Sequence, residues 1–182
     1  MPRYVALLRG INIGAMKRIS MADLKALVEG LGHLDVKTYV NSGNVAFTCT
    51  TGRAESDLAK EIGTALMGQH NLDVAVVVRS GEDLAGVVSG NPFPASEDQP
   101  KTLHVSFLGE EPAAPLVAAL ADVERGEDDY RVIGRLVYLY YPNGMSGAVF
   151  MVNGLDRALG VTSTSRNWRT VLKLAEMTRE QN

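Results

Sequence analysis

Tyr4-Val-Ala-Leu-Leu-Arg-Gly-Ile-Asn-Ile-Gly-Ala-Met-Lys-Arg-Ile-Ser20 is the stretch from which the rest of this chain is read. The apolar run Tyr4, Val5, Ala6, Leu7 and Leu8 predicts a buried strand. The strand breaks at Gly10 into a loop holding a second glycine, Gly14, one asparagine, Asn12, and three cations, Arg9, Lys17 and Arg18. Ser20-Met-Ala-Asp23 then has capping-box spacing, with Asp where Glu or Gln is usual. Met21, Leu24, Leu27, Val28 and Leu31 mark one face of the helix that follows, and Gly30 and Gly32 end it. No acidic residue precedes Asp23, although the chain carries a formal net charge of -3.

Working outward, residues 36–40 predict a strand, Asn41-Ser-Gly-Asn44 a tight turn and residues 45–48 the returning strand. Leu58, Ile62, Ala65 and Leu66 stripe a helix over 54–69, and 74–78 is a β-branched strand. Ser80 caps a short helix running to Val88. This order, β-α-β-β-α-β, is the ferredoxin-like one. A segment over 89–100 with three prolines, Pro92, Pro94 and Pro100, reads as a linker. The second half restarts with a strand over 102–108, in which Leu103, Val105 and Phe107 alternate with polar residues. Leu116, Val117 and Leu120 mark a helix, and 130–133 and 136–140 a hairpin about Gly134-Arg135. Residues 148–159 read as helical in parts, interrupted at Asn153-Gly154, and 161–163 as a short last strand. A closing helix over 167–177 places Trp168, Val171, Leu172 and Ala175 on one face. The expectation is an α+β chain of two tandem ferredoxin-like units, 1–88 and 101–182, the second less regular and carrying the C-terminal helix. The repeat is visible only as an order of elements.

The 182 residues are 46% hydrophobic and 21% charged, which are globular values. The acidic balance argues against a general nucleic-acid partner, whose affinity would rest on phosphate neutralisation. Cys49 is the one cysteine, which excludes an intramolecular disulfide and fits a reduced, cytoplasmic setting. The first strand begins next to Met1, so no signal peptide is expected, and no apolar run approaches the ~18 residues of a membrane span. His33, His70 and His104 lack ligand spacing, so no metal is expected.

In a ferredoxin-like unit the first two strands run parallel with the third between them, so both end at the same edge of the sheet. Arg9, Asn12, Lys17, Asn41 and Asn44 are therefore expected on one rim. Glycine-turn N–H groups with Arg and Lys suit a phosphate or carboxylate. Gly10-x3-Gly14-x2-Lys17 matches neither the Walker loop nor GxGxxG. The alternative, that Gly10, Gly14 and Asn41–Asn44 supply plain turn chemistry, stays open. Thr162-Ser-Thr-Ser-Arg-Asn-Trp168 sets hydroxyls, Arg166 and Asn167 before a helix; either an anion sits there, or Ser165 or Asn167 caps the helix and Trp168 is core. The candidate ligand residues are thus Arg9, Gly10, Asn12, Gly14, Lys17, Asn41, Ser42, Asn44, Arg166 and Asn167. Ser42, Ser163 and Ser165 lack a GxSxG setting, and Cys49 has no cation adjacent in sequence and reads as inert. No catalytic residue, cofactor or oligomeric state follows. The leading reading is a small phosphate-bearing ligand on the basic loop; the alternatives are a noncatalytic interaction or self-association module using an exposed strand edge and, ranked below it, RNA binding through the same basic loop.

Leu7-Leu8-Arg9-Gly10-Ile11-Asn12-Ile13-Gly14, Tyr39-Val40-Asn41-Ser42-Gly43-Asn44-Val45, Asn91-Pro92-Phe93 and Ser165-Arg166-Asn167-Trp168 together resemble an uncharacterised bacterial domain-of-unknown-function family that includes a pneumococcal member. The resemblance spans nearly the whole chain. It implies two ferredoxin-like units and supplies no mechanism. Members commonly carry TTRNWNT where this chain has Thr164-Ser165-Arg166-Asn167-Trp168-Arg169-Thr170. Many also carry a basic residue after the PNG turn, where Met145-Ser-Gly-Ala148 has none.

Overall fold

The computed structural model describes residues 1–94, 98–150 and 154–179. The first half forms β1 (Arg3–Leu8), α1 (Met21–Gly30), β2 (Leu34–Tyr39), β3 (Asn44–Thr48), α2 (Glu55–His70), β4 (Val76–Ser80) and α3 (Gly81–Ser89). The second forms β5 (Leu103–Leu108), α4 (Ala114–Ala119), β6 (Asp129–Ile133), β7 (Leu136–Tyr140), α5 (Leu155–Leu159), β8 (Ser163–Asn167) and α6 (Trp168–Thr178). Two antiparallel sheets result, ordered β2-β3-β1-β4 and β6-β7-β5-β8. Each has the ferredoxin-like order, so the chain is two tandem units of that fold. Residues Met1–Ser89 and those from Lys173 onward make one compact unit, and Gly90–Leu172 the other.

In the first unit Tyr4, Ala6, Leu8, Val45 and Phe47 pack under Leu24, Leu27 and Val28 of α1 and Leu58, Ile62 and Leu66 of α2. The alternate residues Val5, Leu7 and Ala46 are also fully buried, which explains why β1 reads as an unbroken apolar run. Ser20 caps α1 as its spacing predicts, accepting the Asp23 N–H at 3.0 Å. The end of α6 lies hard against the start of α3: a Cβ on Gly81 would come within 2.6 Å of the Thr178 carbonyl oxygen. In the second unit Leu108, Val137 and Leu139 pack with Leu120, Phe150, Leu155 and Leu159. Asp128 holds the segment before α5 by accepting the N–H groups of Val149 and Phe150 at 2.6 and 2.9 Å.

The duplication reaches individual hydrogen bonds. At the end of β1, Leu8 N–H donates to the Gly43 carbonyl (2.8 Å); at the end of β5, Leu108 N–H donates to that of Arg135 (3.0 Å). Arg9 N–H reaches Ala75 O (2.9 Å) as Gly109 N–H reaches Thr162 O (2.8 Å). Cys49 N–H reaches Pro2 O (3.2 Å) as Tyr141 N–H reaches Thr102 O (2.7 Å). Arg79 in β4 and Arg166 in β8 both turn an Nη1 back onto the preceding carbonyl, at 2.7 and 2.8 Å. The next residue then caps the following helix: Ser80 accepts from Asp83 N–H (3.0 Å) and Asn167 from Thr170 N–H (2.9 Å).

Several boundaries differ from the sequence reading. The last strand is Ser163–Asn167, not 161–163, so Arg166 lies in the sheet, paired with Val105, rather than in a loop ahead of the helix. Thr164, Arg166 and Trp168 alternate inward, a period of two concealed because one inward residue is an arginine. On α6 the buried apolar residues are Trp168, Val171 and Leu174, with Thr170 and Thr178 buried beside them, while Leu172 is exposed. Among the described residues of 148–159 the helix is one short turn, α5, and Asn153 lies outside the described residues.

Candidate functional site

The rim where β1 and β2 both end is built from the loop 9–20 and the turn 40–43. The two are joined tightly. A Cβ on Gly43 would meet Leu8 Cβ at 2.7 Å and Ile11 Cδ1 at 2.8 Å, so only glycine lets the turn lie on the loop. Asn12 is the clasp. Its Nδ2 lies 3.0 Å from each of Ile19 O, Asn41 O and Asn41 Oδ1, and its Oδ1 accepts the Ile19 N–H at 3.1 Å. Asn12 N–H closes the loop on Lys17 O at 3.0 Å. Lys17 Nζ spends one of its three donors on Asp73 O, at 2.9 Å.

The backbone here is unusual. Gly10 and Gly14 have φ of 64° and 69°, and the non-glycine residues Asn12 (56°), Lys17 (53°) and Val40 (46°) share the left-handed region. A β-branched residue there is an outlier, and such strain persists only where the surroundings enforce it.

The candidate residues fall into three groups. Arg9, Gly10, Gly14, Lys17, Asn41 and Ser42 are exposed on the rim. Asn12 and Asn44 are turned into the fold. Asn44 is fully buried, and its Nδ2 donates to Tyr39 O and Ser42 Oγ, both at 3.0 Å. Arg166 and Asn167 belong to the second unit. There Arg166 is buried, its Nη1 donates to Thr164 Oγ1 at 2.8 Å, and burial pulls its pKa down to about 10. The side chain of Asn167 is the cap of α6, as one of the two sequence readings has it.

Sequence reasoning passed over three other rim residues. Ile13 and Met16 project from the loop, 76% and 78% exposed, and Val40 from the turn, 50% exposed. The signal for them was two large apolar residues inside a loop that belongs to no helical stripe. Exposed Arg18 adds a third cation beside Arg9 and Lys17.

The surroundings of Cys49 differ from what its sequence neighbours indicate. No cation adjoins it in sequence, yet Arg53 is near in space. Burial would raise the thiol pKa, but hydrogen bonds from Thr51 and Arg53 and the Arg53 charge leave it below its ordinary value. Arg53 is itself held by Glu61 at 2.6 Å, and Glu61 also meets His33 at 3.2 Å. The thiol is 1% exposed, which keeps it from reagents.

A pair of tandem ferredoxin-like units defines the class of fold. The family described as "Protein of unknown function (DUF1697)" matches residues 1–138, and this chain belongs to it. The solved structure of the conserved bacterial protein SP0830 from Streptococcus pneumoniae is similar over 98% of this chain and 99% of that one, with a TM-score of 0.77 at 21% identity. That likeness is one of fold. No curated protein matches. Among the described residues, no helix is long and apolar enough to cross a membrane.

Proposed function

We propose that the rim of the first unit binds a small phosphate-bearing ligand in the cytoplasm. The observation that carries this reading is a difference of length. On a shared hydrogen-bond frame, the first unit spends residues 9–20 and 40–43 where the second needs only 109–113 and 134–135. Both additions fall at one sheet edge, touch through Asn12 and Asn41, and bring Arg9, Lys17 and Arg18 with them. Exposed residues beyond those the second unit uses, carried on a loop anchored by Ile11 and Ile19 and held in strained conformations, are what a binding loop offers. In this reading Arg9, Lys17 and the N–H groups of the Gly10–Gly14 turn contact the anion. Asn41 and Ser42 face the ligand, and Asn12 and Asn44 hold the two loops in place.

Thermal unfolding against a panel of inorganic phosphate, nucleotides and sugar phosphates tests it. A ligand at ~100 times its Kd adds about 2.7 kcal/mol. The stabilisation should appear in the wild type and vanish in Arg9→Ala/Lys17→Ala. A folded wild type that none of these compounds stabilises would overturn the reading.

A second reading rests on Ile13, Met16 and Val40, the exposed apolar tips of the same rim. A noncatalytic docking or self-association surface would use them. Met16→Glu would then change the mass measured by light scattering at high concentration, whereas a small-ligand site would leave that mass unaltered.

A further inference from the structure

A second basic site lies in the first unit, along the free edge of β2. A groove of about 700 Å³ runs there, of the size that small-molecule ligands occupy. Its cations are Arg3, Lys25, Lys37, Lys173 and Arg179, all in the first unit, and they come from β1, α1, β2 and the end of α6. Its lining carboxylate among the described residues, Glu176, pairs with Lys173 at 2.9 Å. Lys25 has Glu29 at 3.6 Å, and Arg3 has Asp35 at the long distance of 3.9 Å. Lys37 and Arg179 meet no carboxylate among the described residues. Among the described residues, the groove keeps an excess of positive charge after its internal pairs are made.

Arg3 adds an independent sign. Its Nε–H is buried and has no hydrogen-bond partner among the described residues. Buried donors are almost always satisfied, and an orphan calls for an acceptor. Tyr39, together with Val36 and Met177, gives the same groove an apolar wall.

We infer that this groove is a second anion site, for a multiply charged phosphate compound whose oxygens bridge Arg3, Lys37 and Arg179. It stands apart from the rim reading and does not depend on it. Several cations around one cleft favour a ligand with more than one negative charge, since charge-assisted hydrogen bonds are among the stronger ones.

The test is a calorimetric titration of the full chain with sodium tripolyphosphate, carried out in the Arg9→Ala/Lys17→Ala background so that the rim is silent. That protein should still bind the probe. Adding Lys37→Glu and Arg179→Glu should weaken binding by roughly tenfold or more for each cation replaced. Lys37→Gln alone should weaken it less, and it replaces the double reversal should that variant fail to fold. No binding in the Arg9→Ala/Lys17→Ala protein, or equal binding before and after the groove substitutions, overturns the site. The wild type against Arg9→Ala/Lys17→Ala reports separately on the rim.

Discussion

The two units repeat one hydrogen-bond frame but finish it differently at the corresponding edge. In the first, β1 leaves into a long basic loop clasped to a left-handed turn. In the second, β5 leaves through the short segment 109–113, and the hairpin closes at Gly134 and Arg135. The matching edge of the second unit is a shallow hollow of about 370 Å³, lined by Glu111, Val117, Ala118, Val132 and Gly134. Its loop carries two exposed carboxylates, Glu110 and Glu111, where the first carries cations. The second unit shows the shorter connections that the frame allows; in the first, Ile11 and Ile19 of the longer loop join the core while Arg9, Lys17 and Arg18 stay exposed.

The sharpest way to break this comparison is at the two turns. Gly43→Ala must place a Cβ 2.7 Å from Leu8 Cβ at a φ of 76°, and should cost about 3 kcal/mol or more. Gly134→Ala, at a φ of 54° with open space around it, should cost only about 1 kcal/mol. Urea midpoints at constant m-value measure both. Equal costs would mean that the turn is not pressed onto the loop in the first unit.

Next in size is the clasp. Asn12→Ala removes the side chain that ties the loop to the turn and should cost about 2 kcal/mol. Limited proteolysis should then cut within 9–20 first, with no matching cut at 109–113. Proteolysis that stays unaltered would show that the loop is held by something other than Asn12.

The smallest effect concerns matched positions on the central strands. Tyr4 and His104 occupy the same register, opposite the capping residues Ser80 and Asn167. Tyr4 donates its hydroxyl to Arg53 O at 3.2 Å, whereas His104 Nδ1 is buried with no partner among the described residues. Burial lowers the His104 pKa, so the fold holds the neutral ring. Its contribution is therefore complete above the unfolded value of ~6.5 and is lost as pH falls below that. His104→Leu should shrink the drop in melting temperature between about pH 7.5 and about pH 5.5. An unchanged drop would assign the acid sensitivity to other groups.

The fold was legible because its strands and helices keep their own periods. Leu24, Leu27 and Val28 announce α1, and Leu103, Val105 and Phe107 announce one face of β5. The strand β8 was not legible, because Arg166 takes an inward position that pattern reading reserves for apolar residues. The rim itself was legible from topology, since Arg9 and Asn41 follow strands that must end together. The inward turn of Asn12 and Asn44 was not. An asparagine on a loop looks the same in sequence whether its amide is spent on neighbouring carbonyls or offered to a ligand.

The last helix also orders events in time. Residues 173–179 complete the unit that the first 89 residues begin. During synthesis the early strands and helices leave the ribosome well before that final piece exists. Gly81 must wait for Thr178 to reach its seat. The first unit is thus finished only after the second has been made, so its maturation waits on the intervening residues 90–172 rather than proceeding in order from the N-terminus.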